Sequence, residues 1–288
     1  MPAAVSRARY QQRKQKQQQA AAQAAAQKPA SPQKPTQQPT NAKKPPVDQQ
    51  QGQPSQTQQT KPTGVSGGKA ANAVDGKDLS GSFKFDDTSK DYSIEQVIKA
   101  QGFDGKPTVT TDKAAFASAC KASNFIAKRG VGASDQATMD AYDQELKSGA
   151  FYVKCSGGSA HGYGMYAASV AANGTQANHG LRHAEDTAKS YAAGNSAKKV
   201  YTMTLDSSAK IGTEASLKAQ MRNDTAFLKV CNSSSMRSAY TQDVGVYAAY
   251  KGYDAYIAGG GRSNNTKNGY YSDYTVILNR SKVILLES

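Results

Sequence analysis

Three segments carry the side chains best suited to hold a small charged ligand. They are Phe125-Ile-Ala-Lys-Arg-Gly130, then His161-Gly-Tyr-Gly-Met-Tyr-Ala-Ala168 with Asp186-Thr-Ala-Lys-Ser-Tyr191, then Tyr270-Tyr-Ser-Asp-Tyr-Thr-Val-Ile277. The planar guanidinium of Arg129 suits a phosphate, and the bare backbone of Gly130 lets a ligand come close. The same tripeptide also fits an arginine at the end of a surface strand. Tyr163, Tyr166 and Tyr191 offer flat faces to a planar ring, worth about 0.5–1.5 kcal/mol beyond area burial, or they are ordinary core tyrosines. Asp273 stands among aromatics at the mouth of an apolar strand, where burial and a neighbouring hydroxyl could fix its carboxylate in place; alternatively it is a turn residue after Asn268-Gly269.

Order and spacing tie these pieces together. An Arg-Gly pair is followed by Gly-x-Gly-x-Tyr-x-Ala, a helix ending in Tyr, a Val-Tyr-Thr-Met-Thr-Leu strand and an acid-aromatic-Thr-Val-Ile strand. The series resembles the ADP-ribosyltransferases, in particular the poly-ADP-ribose polymerase-like branch and related phage and toxin domains, over residues 116–286. Gly162-Tyr-Gly-Met-Tyr-Ala-Ala168 is similar to the family's glycine-tyrosine loop and strand, Thr187-Ala-Lys-Ser-Tyr191 to the helix after it, and Ser272-Asp-Tyr-Thr-Val-Ile277 to the strand bearing the catalytic acid.

The resemblance implies a mono-ADP-ribosyltransferase that moves ADP-ribose from NAD to a protein or nucleic-acid acceptor and releases nicotinamide, with NAD as co-substrate and no metal. It implies that Arg129 holds the ribose or phosphates of NAD and that the Gly130 backbone binds the nicotinamide amide. Gly164 belongs to the same loop, Tyr166 and Tyr191 would sandwich the nicotinamide ring, and Asp273 would stabilise the oxocarbenium-like transition state. The loop before Asp273 would meet the acceptor through Arg262, Lys267, Tyr270 and Tyr271, or it is a solvated turn.

The pattern departs from the family in two ways. Arginine at the first position is typical of one branch and the tyrosine loop of the other; Ser156 and Ser159 are the serines nearest to that first branch's motif. Asp273 replaces a glutamate and is one methylene shorter, and misplacement by about 1 Å can cost on the order of 100-fold in rate. The flanking acids Asp254 and Glu287 fit the strand register less well.

Other constellations carry less. His179 and His183 are four apart, but Gly180 lies between them and nothing nearby except Glu185 or Asp186 could complete a three-ligand zinc set. Cys155 with His161 lacks an orienting Asn or Asp, and His161 itself is either a ligand contact or a turn residue. There is no Gly-x-x-x-x-Gly-Lys-Ser/Thr loop, and Gly162-Tyr-Gly164 lacks the third glycine of a dinucleotide fingerprint. Three cysteines at wide spacings suggest neither a disulfide framework nor a thiolate metal site.

The elements that position these residues occupy only part of the chain. Of 288 residues and a net charge of +14, residues 1–70 hold nine of the ten prolines and eleven Lys/Arg against the single acid Asp48. With 18 Gln in the first sixty positions and almost no aromatics, this stretch cannot offset its conformational entropy by burial. Residues 1–78 are therefore expected to be a disordered basic tail and linker, an attraction for nucleic acid or another polyanion or an inert spacer, with one domain at 79–288. No stretch approaches the roughly 18 apolar residues of a membrane span, and the N-terminus lacks a secretion signal's apolar region, so an intracellular or virion-associated setting away from membranes is expected. Oligomeric state is left open.

Within the domain, periodicity and caps predict helices at 93–100, 113–122 after Asp112, 136–147 after Asp135, 184–192, 213–229 and 235–249. Alternating β-branched runs predict strands at 199–205, 253–257 and 274–286, the last broken at 279–281. Short helices early and paired strands late give an α+β class with mixed or antiparallel, split sheets and flanking helices. The alternative to the enzyme is a catalytically degenerate, virion-associated structural or nucleic-acid-binding protein that keeps the transferase fold.

Overall fold

The computed structural model describes residue 65 and residues 67–148, 161–173, 177–258 and 273–287, with backbone alone at 177–179 and Asp273. The tail up to residue 64, Cys155, Ser156, Ser159, and Arg262, Lys267, Tyr270 and Tyr271 lie outside these residues.

Helix α1 (Ser93–Gln101) forms because Ile94, Val97 and Ile98 share one buried face, while the Glu95 carboxylate accepts the Tyr92 N–H at its start and Gly102 ends it with φ +74°. Strand β1 (Thr108–Thr110) leads into α2 (Lys113–Ser123), whose first N–H groups are held by the Asp112 carboxylate at 2.8 and 3.0 Å. Such caps satisfy donors that the helix itself leaves unpaired. Then follow β2 (Ile126–Ala133), α3 (Gln136–Ser148), with Asp135 accepting the Thr138 N–H, and β3 (Met165–Val170). Helix α4 (Ala177–Ala192) and β4 (Ala197–Leu205) complete the central part, and β5 (Ile211–Thr213) begins the last third.

The expected helix at 213–229 is two helices, α5 (Glu214–Asn223) and α6 (Thr225–Asn232), because the Asp224 carboxylate turns back to accept the Phe227 N–H at 2.9 Å. The helix expected at 235–249 divides in the same way into α7 (Ser238–Thr241) and α8 (Val244–Tyr250), with Asp243 as the cap between them. An aspartate inside a helical pattern competes for nearby backbone donors and restarts the helix. Strands β6 (Ala255–Ala258), β7 (Asp273–Ile277) and β8 (Val283–Leu286) close the chain, with a 3-10 turn at Arg280–Lys282.

The fold is α+β with a mixed sheet flanked by helices, as expected, but the sheet is not split, because β3 pairs with β7 and joins the two halves through one ladder. All eight strands join one sheet in the order β1-β8-β4-β2-β3-β7-β6-β5, with parallel pairs at the two edges and antiparallel pairs between. One face buries Val97, Phe103, Phe227, Tyr247, Tyr256 and Val276 beneath α1, α5, α6 and α8. The opposite face buries Ala127, Met165, Met203 and Ile277, where α3 contributes Leu146. Helix α4 lies across β2 and β3 on the first of these faces, since Gly180 abuts Val170 so closely that a Cβ would stand 2.4 Å from its Cγ2.

Packed chain begins earlier than hydropathy suggests. Residues 67–78, assigned from sequence to the linker, are bonded into the domain. The Ala70 N–H donates to Asp206 at 2.6 Å, the Val74 N–H to Ser281 at 2.9 Å, and Asp75 pairs with the buried Lys282. These are polar contacts made by a small-residue segment, so no apolar run announces them. Among the described residues no helix is long and apolar enough to cross a membrane.

Candidate functional site

The sheet opens where the Arg-Gly and glycine-tyrosine segments meet. Strands β2 and β3 pair from Ile126↔Val170 to Lys128↔Ala168, and there the ladder stops. Beyond it, among the described residues, β2 pairs only with β4, as far as Ala133↔Ala197, and Met165 to Ala167 pair only with β7. Over this stretch the facing edges of β2 and β3 form no ladder with each other.

Arg129 spans this opening. Its Nη1 donates to the Tyr166 carbonyl, and its Nε donates to the Tyr142 hydroxyl of α3 at 3.0 Å. Tyr201, opposite Arg129 on β4, packs against Tyr142 with ring centroids 6.0 Å apart, and burial first, then the nearby Asp143 carboxylate, raises its phenol pKa. The guanidinium therefore sits on the α3 side of the sheet.

Gly130 has a different neighbour from the one expected. A Cβ there would fall 1.6 Å from the Ala188 carbonyl oxygen of α4. The glycine lets helix and strand backbones touch, and the space above its α-carbon belongs to the helix rather than to a ligand. Along the edge that faces β3, the backbone of 130–133 has no strand partner among the described residues.

Tyr166 packs on the other face. Its hydroxyl donates to the Gly162 carbonyl and accepts the His161 N–H at 3.1 Å, and burial pushes the phenol up to about 12. The ring thus closes the turn that carries the glycines. Gly162 has φ +98° with Val244 2.5 Å from any Cβ, and Gly164 has φ +145° with Val276 at 2.3 Å. Both positions exclude a side chain by conformation and by space. Asp243 fixes the turn from outside, its carboxylate accepting the Tyr163 N–H at 2.8 Å while it caps α8 through Gly245 and Val246. Burial raises the Asp243 pKa despite these three donors.

Tyr191, in the last turn of α4, is 64% exposed and donates to the Tyr274 hydroxyl at 3.2 Å. The two rings meet edge to face with centroids 6.3 Å apart. Tyr274 in turn stacks on the His161 imidazole at 6.4 Å and 22°. The His161 Nδ1 lies 2.9 Å from the Glu214 carboxylate, which is 6% exposed and also bonds Lys218 one helical turn on. Sequence reasoning passed over Glu214, Asp243 and the role of Tyr274. Glu214 and His161 are 53 positions apart, and no local spacing reports such a contact.

Asp273 opens β7 opposite Ser169, and Ser169 bonds Thr275 two residues further along. One strand, β3, separates it from Arg129. The other acids considered from sequence are occupied elsewhere. Asp254 is fully buried and bonds the Lys210 N–H, Asn279 and Lys282, and Glu287 bonds Lys147.

The structure thus joins Arg129 to the backbone of Tyr166, and Tyr191 through Tyr274 to His161. It sets the Arg129 guanidinium and the Tyr166 ring on opposite faces, connected through the β2/β3 opening. No protein-family model, curated protein or solved structure matches the chain.

Proposed function

We propose that the domain is an NAD-dependent mono-ADP-ribosyltransferase acting on a protein or nucleic-acid acceptor. One observation carries the reading: the motif segments at 126–133, 165–170 and 273–277, distant in sequence, are three adjacent strands, and the first two part where Arg129, Gly130 and residues 164–166 face one another.

An arginine where β2 and β3 part suits the paired phosphates of a dinucleotide, because its fork gives two parallel charge-assisted bonds. The edge of β2 at 130–133, which pairs with no strand among the described residues, offers donors and acceptors of the kind a carboxamide needs. Tyr191 presents an exposed ring and Tyr166 a ring held rigid by its own hydroxyl, which suits a planar leaving group. In this reading Asp273 supplies the negative charge that meets the developing positive charge on the ribose, and Arg262, Lys267, Tyr270 and Tyr271 meet the acceptor. The full chain incubated with labelled NAD should label itself or a partner. Labelling by Asp273→Ala and Arg129→Ala as strong as that of wild type would overturn the assignment.

A second reading is favoured by the shorter acid at 273 and by the basic residues 1–70. There the domain is catalytically degenerate, and the chain is a virion-associated structural or nucleic-acid-binding protein. It requires DNA affinity that falls steeply with salt and disappears when residues 1–70 are removed, together with no NAD turnover.

A further inference from the structure

We propose that His161, oriented by Glu214, is the base that takes the acceptor's proton as the acceptor attacks; this rests on the transferase reading above. The imidazole is fixed from several directions. Its Nδ1 meets the buried Glu214 carboxylate at 2.9 Å and its face stacks on Tyr274. The backbone of the same residue is already held twice, the N–H by the Tyr166 hydroxyl and the carbonyl by the Tyr256 hydroxyl. Fixing the loop therefore does not require the ring.

Among the described residues the Nε2 atom has no hydrogen-bond partner, and the side chain is 26% exposed. A carboxylate on Nδ1 fixes the tautomer with its proton there and leaves the lone pair on Nε2. That is the arrangement of a base waiting for a proton-bearing group. The ring also lies beside Tyr191, since its stacking partner Tyr274 bonds the Tyr191 hydroxyl. Lys218 on the second Glu214 oxygen balances the carboxylate's charge.

The step balances as follows. The C1′–N1 bond breaks first and its electron pair leaves with nicotinamide, which becomes neutral and can return while the ribose is still an oxocarbenium ion. The acceptor's oxygen or nitrogen then forms its bond to C1′ of that ribose. The acceptor's proton passes to Nε2, giving an imidazolium opposite Glu214, and then to water. Such a base serves an acceptor with a proton to lose, a hydroxyl or a nitrogen, rather than a carboxylate that is already ionised. Glu214 acts through His161 and is a positioning residue.

The test separates bond cleavage from capture. Full-length wild type, His161→Gln and Glu214→Gln are given NAD with water as the acceptor, and net NAD consumption is followed beside exchange of labelled nicotinamide into NAD. In His161→Gln, net consumption should fall about 100-fold, at the lower end of what general bases contribute, while exchange stays within about threefold of wild type. Glu214→Gln should show the same split, smaller. His161→Ala should regain consumption on addition of free imidazole. Equal loss of exchange and consumption in His161→Gln, together with no imidazole rescue of His161→Ala, would assign the histidine to loop packing alone and overturn the proposal. Unchanged consumption in His161→Gln would overturn it as well. A wild type that binds and consumes NAD keeps the transferase reading intact in either case; a wild type that does neither removes both.

Discussion

The two faces of the sheet hold their candidate residues in different ways. On the α3 face, Arg129, Tyr142 and Tyr201 come from neighbouring strands and the next helix, and their contacts follow from strand pairing and a short connection. On the opposite face, the turn at 161–166 is shaped by residues from the far end of the chain. Val244 and Val276 leave room only for glycine, Asp243 holds Tyr163, and Glu214 holds His161. The first arrangement is rigid because it belongs to the ladder. The second is rigid only because distant side chains over-determine it.

This difference predicts graded effects of substitution. The largest is expected at Gly130, which touches the ladder and α4 together. A methyl group 1.6 Å from the Ala188 oxygen cannot be absorbed by a side-chain rotation, so Gly130→Ala should lose about 3 kcal/mol or more in denaturant unfolding. A loss under 1 kcal/mol would mean that α4 is loosely seated.

Asp243→Ala should come next, at about 1–2 kcal/mol, because it removes a helix cap and the anchor of Tyr163 together. Asp243→Asn keeps an acceptor oxygen and should lose much less. The pH dependence sharpens this pair. Burial raises the folded pKa of Asp243 above its unfolded value, so the folded state binds the proton more tightly. Its contribution to stability is greatest below the unfolded pKa and declines as pH rises through the folded one. Asp243→Asn should therefore compare best with wild type at neutral pH and worst under acid conditions. The opposite trend in Tm against pH would contradict the burial argument.

Tyr166→Phe should lose about 1 kcal/mol, the net worth of a hydroxyl tying two backbone groups, with the turn at 161–166 opening to faster amide exchange while β2 and β4 stay protected. Smallest in stability is Tyr191→Ala, within about 0.5 kcal/mol for an exposed side chain. The same substitution should nevertheless abolish most of the thermal stabilisation by NAD, which separates binding from folding at this residue.

Much of this architecture is legible in the sequence where the determinants are local. Asp112 and Asp135 announce α2 and α3, and the alternating Val200-Tyr-Thr-Met-Thr-Leu205 announces β4. The breaks at Asp224 and Asp243 were hidden because apolar spacing continues across them, and the decisive interaction is a side chain turning back on its own backbone. The start of the domain was hidden for the opposite reason: residues 67–78 dock through hydrogen bonds and bury little apolar surface. At the candidate site, the Arg-Gly and Gly-x-Gly-x-Tyr patterns fall on β2 and β3, which the structure makes neighbours. Which face each side chain takes, and which distant carboxylate meets His161, depend on register and topology, and no one-dimensional spacing encodes either.

The most direct test of the proposed site is the thermal unfolding of the full chain with and without NAD. A ligand that binds only the folded state at about 100 times its Kd adds about 2.7 kcal/mol, which for a domain of this size is a rise of about 5–10 °C in Tm. A rise of that order in wild type, lost in Arg129→Ala and Tyr191→Ala variants that melt normally without NAD, is the result expected; an unchanged wild-type Tm at saturating NAD would contradict it.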